Sequence, residues 1–260
     1  SWSESATLTP ADTGAGQDFG AAVAIFGDVL MVGAPQDGDL GDQAGAVYVF
    51  ERTGDSWLQT TKLKSADGSD FDAFGTSISM TGSVAVIGAP GADVDMNDAA
   101  YIFAEASGSW SEVRKIDSIG DDLGRAVAVS GDYVALGLPE DDTLGAGVGS
   151  VQVWFYNGAS WGLQDTLLPS DPDAGEAFGS SLAMTSDRIV VGSPNWDGIT
   201  GGYAKQGRAF VFDLNGADWT RVARLTADGG LNAIDANGEG NGGDRFGSSV
   251  ALEGGYVVVG

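Results

Sequence analysis

Oxygen-bearing side chains at every second position are the first chemistry this sequence offers. Asp235, Asn237 and Glu239 alternate with small residues in the longest acidic loop, Asp228 to Asp244, and Asp244 closes it. Calcium takes six to eight hard oxygen ligands at tolerant geometry, so these four residues are the leading expectation for a metal set. Asp93, Asp95 and Asn97 repeat the alternation and form a second expected set. The same composition also suits solvated turns, because Asp caps its own backbone in such loops. A different chemistry is offered by Asn195, Trp196 and Tyr203, whose amide and rings suit hydrogen bonding to a sugar and stacking on it. Trp196 reads equally well as a packing residue.

The missing residue types narrow the function further. The chain has no His and no Cys, which removes the usual general base, thiolate chemistry and the common zinc sites. Asp and Glu number 37 against 12 Lys and Arg, a net charge of -25 that repels phosphate backbones and anionic lipid surfaces. Nucleic acid is therefore excluded as an expected partner, and no apolar run approaches the roughly 18 residues of a membrane span. Paired carboxylates alone would suffice for a glycosidase. In so acidic a chain, however, adjacent pairs such as Asp141 and Asp142 carry little signal.

What positions these loops is a repeated phrase. Phe19-Gly20 leads through Val23, Ile25, a Gly27-Asp28 turn, Leu30 and Val32 to Gly33-Ala34-Pro35. Later copies open at Phe74-Gly75, Leu123-Gly124, Phe178-Gly179 and Phe246-Gly247, and the first and second glycines of each copy are 13 positions apart. Apolar residues alternate on both sides of each turn, the period of a β-hairpin. A third strand recurs near Tyr48, Tyr101, Val153 and Phe210, and a fourth opens with Trp57, Trp110, Trp161 or Trp219. The phrases are 55, 49, 55 and 68 residues apart, a spacing that suits four-stranded antiparallel propeller blades.

These phrases resemble the FG-GAP repeats that build the β-propeller of integrin α-subunits and of many bacterial secreted and surface proteins. The resemblance covers nearly the whole chain and implies an all-β propeller, read here as one domain over 1–260. About five repeats are present, with residues 1–10 expected to supply a strand to the last blade. A fragment of a six- or seven-bladed ring is the expected context, with a five-bladed ring as the alternative.

In the calcium-binding integrin repeats, an Asp-rich loop lies between the Phe-Gly and Gly-Ala-Pro elements, where this chain has only short turns. Calcium is thus expected at other loops. About two thirds of the acidic residues fall in the loops after second and fourth strands, which leave a blade on one face. The resemblance implies an extracellular or cell-surface module that binds a protein or glycan through that face. A structural repeat capable of self-association and a carboxylate-dependent glycosidase or lyase are the other readings.

Overall fold

Glycine turns between alternating apolar residues make hairpins, and pairs of hairpins make the sheets of this protein. The structure is a computed structural model that describes residues 4, 6–12, 17–91, 97–198, 205–227 and 243–260. The first sheet pairs β1 (Val23–Phe26), β2 (Val29–Ala34), β3 (Ala46–Thr53) and β4 (Ser56–Leu63) in chain order, all antiparallel. The second is β5 (Ser77–Thr81), β6 (Val84–Ala89), β7 (Asn97–Ala106) and β8 (Ser109–Ile119). β9 (Val127–Ser130), β10 (Tyr133–Leu138), β11 (Ser150–Tyr156) and β12 (Trp161–Leu167) form the third. The fourth is β13 (Ser181–Met184), β14 (Arg188–Ser193), β15 (Arg208–Asn215) and β16 (Asp218–Leu225). β17 (Val250–Glu253) and β18 (Tyr256–Val259) add a two-stranded sheet.

This is the all-β architecture of propeller blades that the repeated phrase predicts. Each blade carries a register shift between its third and fourth strands at one equivalent step: Val49/Phe50, Ile102/Phe103, Val153/Trp154 and Val211/Phe212. A bulge increases local twist, so its recurrence gives the four blades one shape. In the N-terminal segment, Leu8 packs against the buried cluster of Val32, Ala34, Ala46, Tyr48 and Phe50 in the first blade.

The chain divides into two compact units, Ser1–Ile119 with the first two blades and Gly120–Gly260 with the others and the hairpin. In the first, Met31, Val47, Val49 and Leu63 of one blade bury against Ile87, Tyr101 and Phe103 of the next, with Phe74 among them. In the second, Val151 and Val153 meet Ile189, Phe210 and Phe212 around Phe178. Phe74 lies edge-on to Tyr101 at 5.4 Å, and Phe178 to Phe210 at 5.3 Å, the arrangement that ring quadrupoles favour. Phe74 and Phe178 are thus wedges between blades.

Backbone packing explains the phrase glycines. A methyl group on Gly33 would overlap the carbonyl of Gly75 in the next blade, and one on Gly192 would overlap the carbonyl of Gly247. Gly137 stands in the same relation to Gly179. Gly45 and Gly207, just before third strands, lie against Phe74 and Phe246 and form isolated parallel bridges with them. Gly75, Gly179 and Gly247 also have φ values of 96°, 98° and 98°, which side chains resist.

Gly33→Ala and Gly192→Ala are each expected to cost about 3 kcal/mol, because the obstructing carbonyls of Gly75 and Gly247 are main chain and cannot swing aside. Gly54→Ala is the contrast: its φ is 62° but nothing lies within 4 Å, so about 1 kcal/mol is expected. Urea titrations followed by tryptophan fluorescence measure both. Equal costs at the three positions would show that interblade contact is not what the phrase glycines provide.

Candidate functional site

The loops that carry the acidic residues are clamped to one another by main-chain hydrogen bonds. In every blade the residue after the Gly-Ala-Pro step donates its N–H to the residue two before the Phe-Gly step. The pairs are Gln36 to Gln17 at 3.2 Å, Gly91 to Asp72 at 3.3 Å, Glu140 to Asp121 at 3.2 Å and Asn195 to Glu176 at 3.1 Å. The residue just before Phe or Leu turns left-handed each time, with φ of 57° at Asp18, 53° at Ala73, 60° at Asp122, 58° at Ala177 and 51° at Arg245. Loops after second strands and loops before first strands therefore meet at one end of each blade, as the sorting of acidic residues supposes.

In the first unit this end gathers three carboxylates around one ammonium. Asp12, Asp37 and Asp39 bring oxygens within 4.8 Å of one another, spacing that a metal ion would accept. Lys62 Nζ lies 2.7 Å from Asp12, 2.8 Å from Asp37 and 2.8 Å from Asp39. Asp37 is fully buried and also accepts from the Tyr48 hydroxyl at 3.0 Å and from the Asp39 N–H at 3.1 Å. Burial opposes the charge on Lys62, but its bonds to Asp12, Asp37 and Asp39 outweigh burial and raise its pKa above the usual lysine range. The Lys62 hydrogen bond correspondingly lowers the carboxyls of Asp12 and Asp39. Burial pushes the Tyr48 phenol up.

The next blade reuses this cross-strand pair. Tyr48 faces Lys62 in the ladder, and Tyr101 faces Lys115. Here Asp67 takes the Tyr101 hydroxyl at 3.0 Å and Lys115 at 2.6 Å. These partners overcome burial and lower the Asp67 carboxyl. Asp70 and Asp72 accept the main-chain N–H groups of Asp42 and Ser69. Carboxylates in these acidic loops thus hold the loops themselves together.

In the second unit a buried arginine takes the corresponding space. Arg208 and Glu176 are both fully buried and pair at 2.7 Å, and the Ser193 hydroxyl donates to Glu176 at 2.6 Å. The guanidinium lies 4.8 Å from the ring centres of Trp196 and Phe210. Asp141 of the preceding blade keeps the simpler pattern of Asp37, accepting from Ser150 and from the Thr143 N–H at 2.7 Å.

A recess of about 380 Å³ opens where three successive phrases of this unit converge. Arg125, Ser180 and Ser248 each follow the glycine of a Phe-Gly or Leu-Gly step, and all line it. Asp122 and Arg245 come from the left-handed step before Phe or Leu, and Glu140 and Asn195 from the residue after each proline.

Of the residues expected to bind ligand, Asn195 lies in this recess. Trp196, the next residue, is 6% exposed and covered by Arg208, so the stacking role is replaced by internal packing against a cation. Tyr203 lies outside the described residues, as do Asp93, Asp95, Asp235, Asn237 and Glu239, and the Asn97 side chain is likewise outside them. Asp244 is described and exposed. The Lys62 cluster and Arg125 escaped the sequence reading. A signal for Lys62 was present, since Tyr48 and Lys62 recur at matching steps as Tyr101 and Lys115.

A model of the FG-GAP repeat matches residues 2–50, 57–103 and 161–212, more than half of the chain. The chain belongs to the FG-GAP repeat family. Each match begins near the tryptophan of a fourth strand or its N-terminal counterpart and ends in a third strand, so the family unit is offset from the blade by one strand. Of the two copies without a match, the one in the third blade has Leu123 in place of Phe and Leu138 in place of Ala. The integrin-type calcium loop has no room here, because β1–β2, β9–β10 and β17–β18 are joined by two residues each. No curated protein matches the chain.

Two substitutions test the buried charges. Lys62→Met leaves Asp37 buried without its ammonium, an expected loss of about 3 kcal/mol at pH 7. Asp12 and Asp39 have lowered pKa values, so their contribution is present above about pH 4 and is lost as pH falls through their folded values. Lys62 is raised, so its contribution holds below about pH 10 and fades above. The stability difference between the native chain and Lys62→Met should therefore be level between about pH 5 and 9 and shrink on either side. A difference that stays constant down to pH 3 would contradict this linkage. Glu176→Ala removes the buried carboxylate partner of Arg208, leaving it the Asp171 carboxylate at 3.0 Å, and should cost about 3 kcal/mol in the same urea titration.

Proposed function

We propose that the chain is a non-enzymatic extracellular recognition module that holds a protein or glycan at the loop end of its blades. The observation that carries this reading is the recess in the second unit, where three phrases bring polar side chains together on rigidly clamped loops. Its volume of about 380 Å³ lies in the range of small-molecule pockets. Loops mounted on a fixed frame are where binding residues concentrate. The buried carboxylates Asp37 and Glu176 are committed to Lys62 and Arg208, which favours binding over hydrolysis. Surface display follows from the habits of the family. Calcium belongs to the proposal only through Asp235, Asn237, Glu239 and Asp244, and through Asp93, Asp95 and Asn97.

A second reading is a structural repeat that associates with further copies of itself.

Binding of the purified chain to a broad glycan array, with millimolar calcium and with a chelator, is the test of the first reading. Discrete glycan hits are expected. Sedimentation of the same sample should show a monomer. Silence on the array together with concentration-dependent association would instead support the structural repeat.

A further inference from the structure

We propose that the recess of the second unit selects ligands bearing a carboxylate, specifically an acidic sugar unit of the uronate type, and that Arg125 and Arg245 are its anion-binding pair. This rests on the recognition reading above and names the ligand class of the same site.

Carboxylates outnumber basic side chains 37 to 12, yet Arg125, Lys205, Arg221 and Arg245 hold no ion pair among the described residues, and of these Arg125 and Arg245 share one recess. Arg52, Lys62, Lys115, Arg188, Arg208 and Arg224 all hold ion pairs. Arg125 and Arg245 hold neither an ion pair nor a side-chain hydrogen bond to another described residue, and both line the one recess. They reach it from different blades, Arg125 after the glycine of Leu123-Gly124 and Arg245 before Phe246-Gly247. Guanidinium groups are the donors best shaped for a carboxylate, which they bind by paired, charge-assisted hydrogen bonds.

The remaining lining favours a polyol around that carboxylate. The hydroxyls of Ser180 and Ser248 are spent as donors on the carbonyls of Ala177 and Arg245, each at 2.7 Å. Both residues line the recess, and a hydroxyl oxygen that donates elsewhere keeps its lone pairs as acceptors for a sugar hydroxyl. Asn195 adds an amide with both donor and acceptor. Glu140 adds a further carboxylate to the lining, an acceptor for hydroxyl donors. A bare inorganic anion would use the arginines alone.

The experiment is isothermal titration calorimetry of the purified chain with a uronate-containing oligosaccharide, its neutral hexose counterpart and inorganic sulfate. The uronate is expected to bind at least tenfold more tightly than either of the others. Arg125→Gln/Arg245→Gln should abolish that preference with an unchanged melting temperature, while Arg221→Gln, outside the recess, should retain it. Sulfate binding as tightly as the uronate would overturn the sugar assignment, and equal binding of acidic and neutral sugars would overturn the anion pair while leaving a recognition module. Binding of no sugar here or on the array would overturn the uronate assignment while leaving a protein as the ligand of the recognition reading.

Discussion

A main-chain carbonyl resting where another residue would have a side chain is the contact on which this structure depends. The carbonyls of Gly75, Gly179 and Gly247 pack against the bare α-carbons of Gly33, Gly137 and Gly192 in the preceding blade. That approach brings Phe74 and Phe178 into the interblade cores and fixes how adjacent sheets meet. It also explains why the family phrase is so short. Six or seven positions set the stacking, and the rest of a blade has only to be a twisted antiparallel sheet with one apolar side.

The loop ends show one structural step filled in three ways. Asp37 takes a tyrosine and a lysine, Asp141 takes a serine and a backbone N–H, and Trp196 accepts an arginine on its face. Each solution satisfies the polar groups that third-strand residues present beneath the loop. Buried charge is costly unless paired and hydrogen-bonded. Here the pairs are supplied from within a single blade and its adjoining loops, so blades can differ in chemistry without disturbing their neighbours. The acidic surplus of the chain is therefore not spread evenly over free carboxylates, because many of them cap turns or hold basic side chains.

Much of this fold was legible in the residues. Two-residue turns such as Gly27-Asp28 and Gly131-Asp132, with alternating apolar neighbours, specify hairpins by local geometry alone. The third and fourth strands followed from the recurrence of aromatic residues at matched steps. The site was legible in part: Asn195, expected to bind a ligand, lines the recess, but its neighbour Trp196 was read for its ring, not its place in the repeat. Aligned by phrase, Trp196 stands where Asp37 and Asp141 stand, and Arg208 stands where Ala46 and Ser150 stand. The Lys62 cluster depends on a cross-strand partner and on Asp12, 25 positions before Asp37, which local periodicity does not reveal. Likewise Arg125 and Arg245 are 120 positions apart and come to one recess only because three successive phrases converge there.

The ammonium of Lys62 has a further consequence. A blade whose carboxylates are held by calcium is only as firm as the free ion concentration around it, since a dissociable ligand stabilises by mass action. Lys62 is attached to the strand it serves, so its occupancy does not depend on the surroundings or on competition from other ions. The first blade carries its counter-ion as part of its own chain, and its loops keep one conformation in media where the cation supply rises and falls.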